Sequence, residues 1–142
     1  DEWKELGSQL KQVEGSVQFW IGDWARFGDK KGFTGKNVSS EVYNELEEIT
    51  GLERKTLQNY KNVAEQTAEV RNSSPRGEEL DYSHYREVAK LTPEKQAEFL
   101  NKASDENLSV RELRNVINIV DKIIIFNYES TKFSLVQALK NK

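Results

Sequence analysis

Residues 40–64, SEVYNELEEITGLERKTLQNYKNVA, read as two short helices joined by a glycine turn. In the first helix Val42, Tyr43, Leu46 and Ile49 recur at helical spacing and are expected to face inward, with Ser39 or Ser40 placed to cap its start. Gly51 supplies the positive-φ turn, and Leu52 anchors the second helix to the first. Rotating residues 53–64 by ~100° per residue puts Leu57, Tyr60, Val63 and Ala64 on one side. The opposite arc holds Arg54, Lys55, Gln58, Asn59, Lys61 and Asn62, and Thr56 is counted with that face. This is the outline of a helix-turn-helix with a polar, partly basic outer surface. Arg and Lys reach phosphates or guanine edges, and Asn and Gln pair with adenine, so double-stranded DNA is the expected partner. A structural hairpin with a solvated side is the competing reading, but such a face would usually carry more Glu.

Composition sets the frame around that stretch. Apolar residues at 36%, charged residues at 32%, two prolines and eight glycines favour an all-α chain of amphipathic helices over a turn-rich sandwich. The absence of cysteine excludes disulfides, thiolate zinc sites and a cysteine nucleophile, and points to a cytoplasmic protein of a prokaryotic cell or nucleoid. No apolar run is long enough for a membrane span. Methionine is missing even at position 1, so a trimmed chain or a fragment of a longer protein is expected. Net charge is −3, which argues against a general nucleic-acid coat. Its distribution matters more: residues 1–50 carry six basic and ten acidic groups, residues 51–76 five and three, and residues 77–142 ten and eleven. The one net-positive segment holds the second helix of the pair, where phosphate contacts would be wanted.

Upstream, Trp3 to Phe27 opens with Leu6, Leu10 and Val13 and reaches the cluster FWIGDW at 19–24. Trp20, Trp24 and Phe27 share one helical face, and core packing is its expected role, ahead of ligand binding or base stacking. Asp23 could orient an indole N–H or cap a neighbouring backbone. Gly28 to Asn37, GDKKGFTGKN, is expected to be a loop; its spacing matches no phosphate-binding motif, so it reads as a connector able to brush a phosphate backbone.

Downstream, Asn72 to Glu79 is a polar linker, and a second helical set follows. Ser83 is expected to cap a helix through Lys90, Thr92-Pro93-Glu94 opens the next, and Ser109 with Glu112 forms a capping-box pattern for a third. Val88, Leu91, Phe99, Leu100, Ala103, Leu108, Val110, Leu113 and Val116 are the expected shared core. His84, the sole histidine, is suited to packing, a buried carbonyl or a phosphate rather than a metal. No nucleophile, metal set or paired carboxylates can be assembled, so no cofactor and no enzymatic activity are expected. After Asn115 the tail is strongly apolar; the IIIF run at 123–126 fits a helix or a short strand, with one more helix after Glu129. It is expected to pack across a homodimer interface or to close the core.

Three stretches carry a family resemblance: TGLERKTLQNYKNVAEQ, LDYSHYREVAKLTPEKQAEFLNKA and LSVRELRNVI, spanning Gly51 to Ile117. They resemble the helical DNA-binding region of ParB-type partition proteins, with His84-Tyr85-Arg86 and Ser109-Val110-Arg111-Glu112 at the corresponding places. The longer span from FWIGDWARFG to SVRELRNVI also resembles the LmbU-like transcriptional regulators, in which a W-x-G-D-W segment precedes the same arrangement. The resemblance implies an all-α, sequence-specific DNA binder, a transcriptional regulator or partition-like adaptor. Arg54, Lys55, Gln58, Asn59 and Asn62 would be recognition positions, and His84, Arg86 and Arg111 backbone contacts. It does not extend to the nucleotide-binding domain or arginine-rich box of partition proteins, so nucleotide hydrolysis is not implied. The alternative function is a protein-interaction module on the same scaffold. The expected organisation is an N-terminal helix and loop (1–36), the helix-turn-helix (37–72), a linker (73–80), a three-helix subdomain (81–118) and a packing or dimerisation segment (119–142).

Overall fold

Helical periodicity underlies the elements of the structure, a computed structural model that describes residues 2–31, 38–73 and 80–141. These form α1 (Glu2–Lys31), α2 (Val38–Thr50), α3 (Arg54–Gln66), α4 (Ala68–Ser73), α5 (Tyr82–Val88), α6 (Pro93–Asp105) and α7 (Val110–Lys140). The all-α expectation holds, and no strand occurs among the described residues. No helix among them is long and apolar enough to cross a membrane.

At α6 and α7 the sequence reading of the caps matches. Thr92 accepts from the Lys95 amide with Pro93 in the first turn of α6. Ser109 and Glu112 exchange the two bonds of a capping box at the start of α7. Other starts differ. Asp81, not Ser83, caps α5, its carboxylate accepting from the amides of Ser83 at 2.8 Å and His84 at 3.3 Å, and the helix ends at Val88 rather than Lys90. Ser39 and Ser40 lie inside α2, so neither caps its start. Helix α1 continues through Lys31, four residues into the stretch read as a glycine-lysine loop, whose remainder lies outside the described residues. Asn72 and Ser73 of the expected linker belong to α4, and residues 74–79 are likewise outside the description.

Two apolar clusters hold the helices. The smaller joins Tyr43 and Leu46 of α2, Leu57 of α3 and Ala25 of α1, with Ile21 and Leu52 packed against it. The larger runs from Phe19 through Val63 and Ala64 of α3 to the C-terminal set, including Tyr85, Val88, Phe99, Leu100 and Leu113. Of the expected core of that set, Leu91, Leu108 and Val116 are half-buried against it, and Val110, at the start of α7, is half-buried but not part of that cluster. One face of α1 therefore contributes to both clusters and ties the helix-turn-helix to the helices after it. Phe19 makes edge contacts with Tyr82 and Tyr85 at ring separations of 5.3 and 5.2 Å.

The buried face of α1 corrects the sequence reading. Phe19, Gly22 and Ala25 point inward, whereas Trp20, Trp24 and Phe27 are 60%, 44% and 53% exposed. Small residues are favoured on the inner face because α1 crosses α3 closely, Gly22 lying against the backbone of Tyr60. Asp23 serves neither an indole nor a backbone amide; it forms a two-pronged ion pair with Arg71 of α4, both N···O distances 2.9 Å. Arg71 also donates to the Ala64 carbonyl and covers the Phe19 ring. Ile49, expected inside, is exposed near the end of α2, and the side chain of Val42 is outside the description.

The tail is not a strand and does not close the core. Helix α7 is continuous over 31 residues, and from Asp121 to Asn141 every residue is exposed. The capping box starts the helix and each further residue adds one backbone bond, which outweighs the weak strand preference of the isoleucines.

A buried polar side chain that helical periodicity does not mark joins α6 to its neighbours. The Gln96 amide nitrogen, on a residue 1% exposed, donates toward the carbonyls of Gln66, Ala89 and Leu91 at 3.0–3.2 Å, joining the ends of α3 and α5 to α6. Gln96→Leu keeps the volume but leaves those acceptors without a donor. Urea unfolding should show a loss of about 2 kcal/mol; an unchanged midpoint would refute the clamp.

Candidate nucleic-acid interface

The turn between α2 and α3 is built as the sequence implies. Gly51 sits at φ +68°, donating its amide to the Glu47 carbonyl, and Thr50 Oγ1 donates to Leu46 O while accepting from the Leu52 amide. What fixes the start of α3 was not legible. Glu53 stands at the N-cap without a side-chain bond, and the Glu47 carboxylate reaches over from α2 instead. One of its oxygens accepts from the Arg54 amide at 2.9 Å and the other from the Arg54 guanidinium at 3.1 and 3.2 Å. A carboxylate over the first turn also suits the positive end of the helix.

That arrangement changes the standing of Arg54. Its guanidinium is folded back on α2, held by Glu47 and by the Asn44 side-chain oxygen. It braces the two helices instead of projecting outward. Of the other sequence-selected positions, Lys55, Gln58, Asn59 and Asn62 are exposed together on α3, and Thr56 and Lys61 are half-buried at its margins. Leu57, Val63 and Ala64 are buried opposite, with Tyr60 half-buried against the Tyr82 ring at 5.3 Å. Ser40, Tyr43, Arg54, Gln58, Lys61 and Asn62 line a shallow depression between α2 and α3.

The three outlying positions separate. Arg86 is exposed on α5, one turn beyond Tyr82, which packs on Tyr60 and lies 3.5 Å from the Asn59 carbonyl. Burial pushes the Tyr82 phenol up to about 12, while the positive charge of nearby Arg86 opposes the shift; the Arg86 guanidinium itself lies 4.0 Å from the Glu87 carboxylate. His84 is 6% exposed, and both ring nitrogens are engaged. Nε2 donates to the Leu108 carbonyl at 3.0 Å, and Nδ1 lies 3.1 Å from the Asp81 carboxylate and 3.3 Å from the Asp81 amide. The ring thus locks the start of α5 to the loop before α7. Arg111 is exposed on the first turn of α7, a helix packed on α5 and α6. The α5–α7 junction is pinned by a forked pair of Arg114 with Glu87, at 2.7 and 2.9 Å, which holds the Glu87 carboxyl below the usual range.

Two helices at a fixed angle, a rigid turn and one polar face free of large apolar side chains form a groove-sized probe. The family model of the ParB HTH domain matches residues 38–122, more than half of the chain. The chain belongs to that family. Its ParB HTH region runs from α2 into α7, so the resemblance read from the motifs holds, while α1 and most of the exposed part of α7 lie outside it. The transcriptional regulator NovE of Streptomyces niveus is 33% identical over 117 residues, 82% of this chain and 49% of NovE. The chain therefore spans about half the length of that relative. No solved structure matches it.

Proposed function

We propose that this ParB HTH protein binds double-stranded DNA sequence-specifically, laying the exposed face of α3 in the major groove, and acts as a transcriptional regulator. The observation that carries the reading is the clustering of Lys55, Gln58, Asn59 and Asn62 on the one open face of a helix whose start is clamped by Glu47 and Arg54. Asn and Gln can each make paired bonds to adenine, and Lys can reach guanine or phosphate. Lys61 and Arg86 flank the face as phosphate contacts, with Arg111 as an outlying cation. Regulation is preferred to partition because the relative named above is a transcriptional regulator. A homodimer joined by the exposed part of α7 would place two α3 helices on paired half-sites and raise affinity through the second contact. Such a protein works in the cytoplasm, at the nucleoid.

Selection of bound sequences from a random pool, followed by anisotropy titration at several salt concentrations, tests this. Affinity should fall steeply with salt, and Arg86→Ala should weaken all sequences alike while lowering the slope by about one. An absence of binding at low salt would overturn the proposal.

A further inference from the structure

On α1 and on the C-terminal part of α7, two helical surfaces carry exposed apolar side chains. On α1, Leu6, Val13 and Val17 are 55%, 46% and 39% exposed, and Trp20, Trp24 and Phe27 continue the same stripe. With Leu10 in register, the spacing alternates four and three residues without interruption from Leu6 to Phe27, a heptad seam of period 3.5. The other side of α1 is taken up by α2, α3 and α5.

From Ile119 onward, α7 is apolar on two faces. Ile124, Tyr128, Leu135 and Leu139 continue the line of the buried Leu113 and Ile117 with an 11-residue repeat: 113, 124, 135 and 117, 128, 139. The other face carries Ile119, Ile123, Phe126 and Phe133, with Ser130 between, again at heptad spacing. A helix apolar on opposite faces needs two neighbours.

We infer that the α1 seam of one copy docks on the Ile119–Phe133 face of α7 in a second copy, so that the dimer interface is a four-helix arrangement of α1, α7 and their mates. This rests on the α7 dimer of the proposed function. Three observations select a second copy. At side-chain areas of ~200 Å² and the exposures shown, the 11-residue stripe offers only about 500 Å² per copy, short of the ~800 Å² a standard interface takes from each partner. Adding the α1 seam and the second α7 face brings the apolar surface to on the order of 1,500 Å². The two heptad surfaces also match in period and length, since Val13 to Phe27 and Ile119 to Phe133 each span two heptads, about 21 Å. Two copies thus cover all the faces reciprocally, as a twofold assembly requires.

The full chain provides its own probe, with three tryptophans; Trp3→Phe leaves emission to Trp20 and Trp24. In that background, emission should shift to the blue with rising concentration, in step with the dimer fraction from sedimentation. Trp20→Asp and Phe126→Asp should each raise the dimer dissociation constant at least tenfold with helicity unchanged. If Leu135→Asp abolishes the dimer while Trp20→Asp does nothing and the indole emission stays that of exposed tryptophan, the α1 docking is refuted and the α7 dimer stands. A protein that stays monomeric at the highest attainable concentration refutes both.

Discussion

Gly22→Ala should cost at least about 2 kcal/mol of folding stability, although alanine is the better helix former. Gly22 lies in the middle of α1, where helix propensity alone predicts a gain of ~1 kcal/mol. The packing says the reverse. A Cβ at position 22 would lie 2.7 Å from the carbonyl carbon of Tyr60 and 2.8 Å from the Ala64 Cβ, closer still to the Tyr60 carbonyl oxygen. Helix backbone cannot step aside as the tip of a flexible side chain can, so α1 must back away from α3. Phe19 and Ala25, which seat α1 in the two clusters, would lose contact together. Urea denaturation gives the sign directly, and a variant as stable as the parent would refute close α1–α3 packing. DNA affinity should fall as well, since α1 supports α3 from behind.

The second large effect concerns binding and should leave the fold untouched. Replacing Lys55 and Asn59 together by alanine should lower affinity for the selected sequence by about 3 kcal/mol, more than a hundredfold, and bring it close to the non-specific level. Both side chains are exposed near the start of α3, where a recognition helix meets base edges, and neither is buried in a cluster. Circular dichroism and the unfolding midpoint should therefore match the parent. Retained selectivity would remove α3 as the reading element. Arg54→Ala should behave differently: by releasing Glu47 and Asn44 it should lower stability as well as binding, because Arg54 holds α3 to α2.

How far the sequence could be read follows from the range of each interaction. The α2–α3 turn was legible because Gly51, Thr50 and Leu52 act within a few residues of one another. The starts of α6 and α7 were legible for the same reason. Rotation about one helix cannot show that the Arg54 guanidinium meets an acceptor on another, since Glu47 is seven residues away on α2. Helical spacing puts Trp20, Trp24 and Phe27 on one face and so predicts a core role, yet the crossing of α1 with α3 admits only small side chains at its closest point and that face stays exposed. The sole histidine, His84, meets a buried carbonyl as its sequence reading allowed, but which carbonyl, that of Leu108 24 residues on, was not legible, nor was the role of Gln96, whose acceptor Gln66 lies 30 residues away.

By itself the sequence determined the helical class, the helix-turn-helix and its polar face, because periodicity, capping and a positive-φ glycine act over one or two turns. Only the tertiary structure decided which side of α1 is buried, which basic residues of α3 are exposed, and that α7 runs on beyond the core. Those outcomes depend on how closely two helices approach and on which acceptors they bring within 3 Å, and no single helix encodes either.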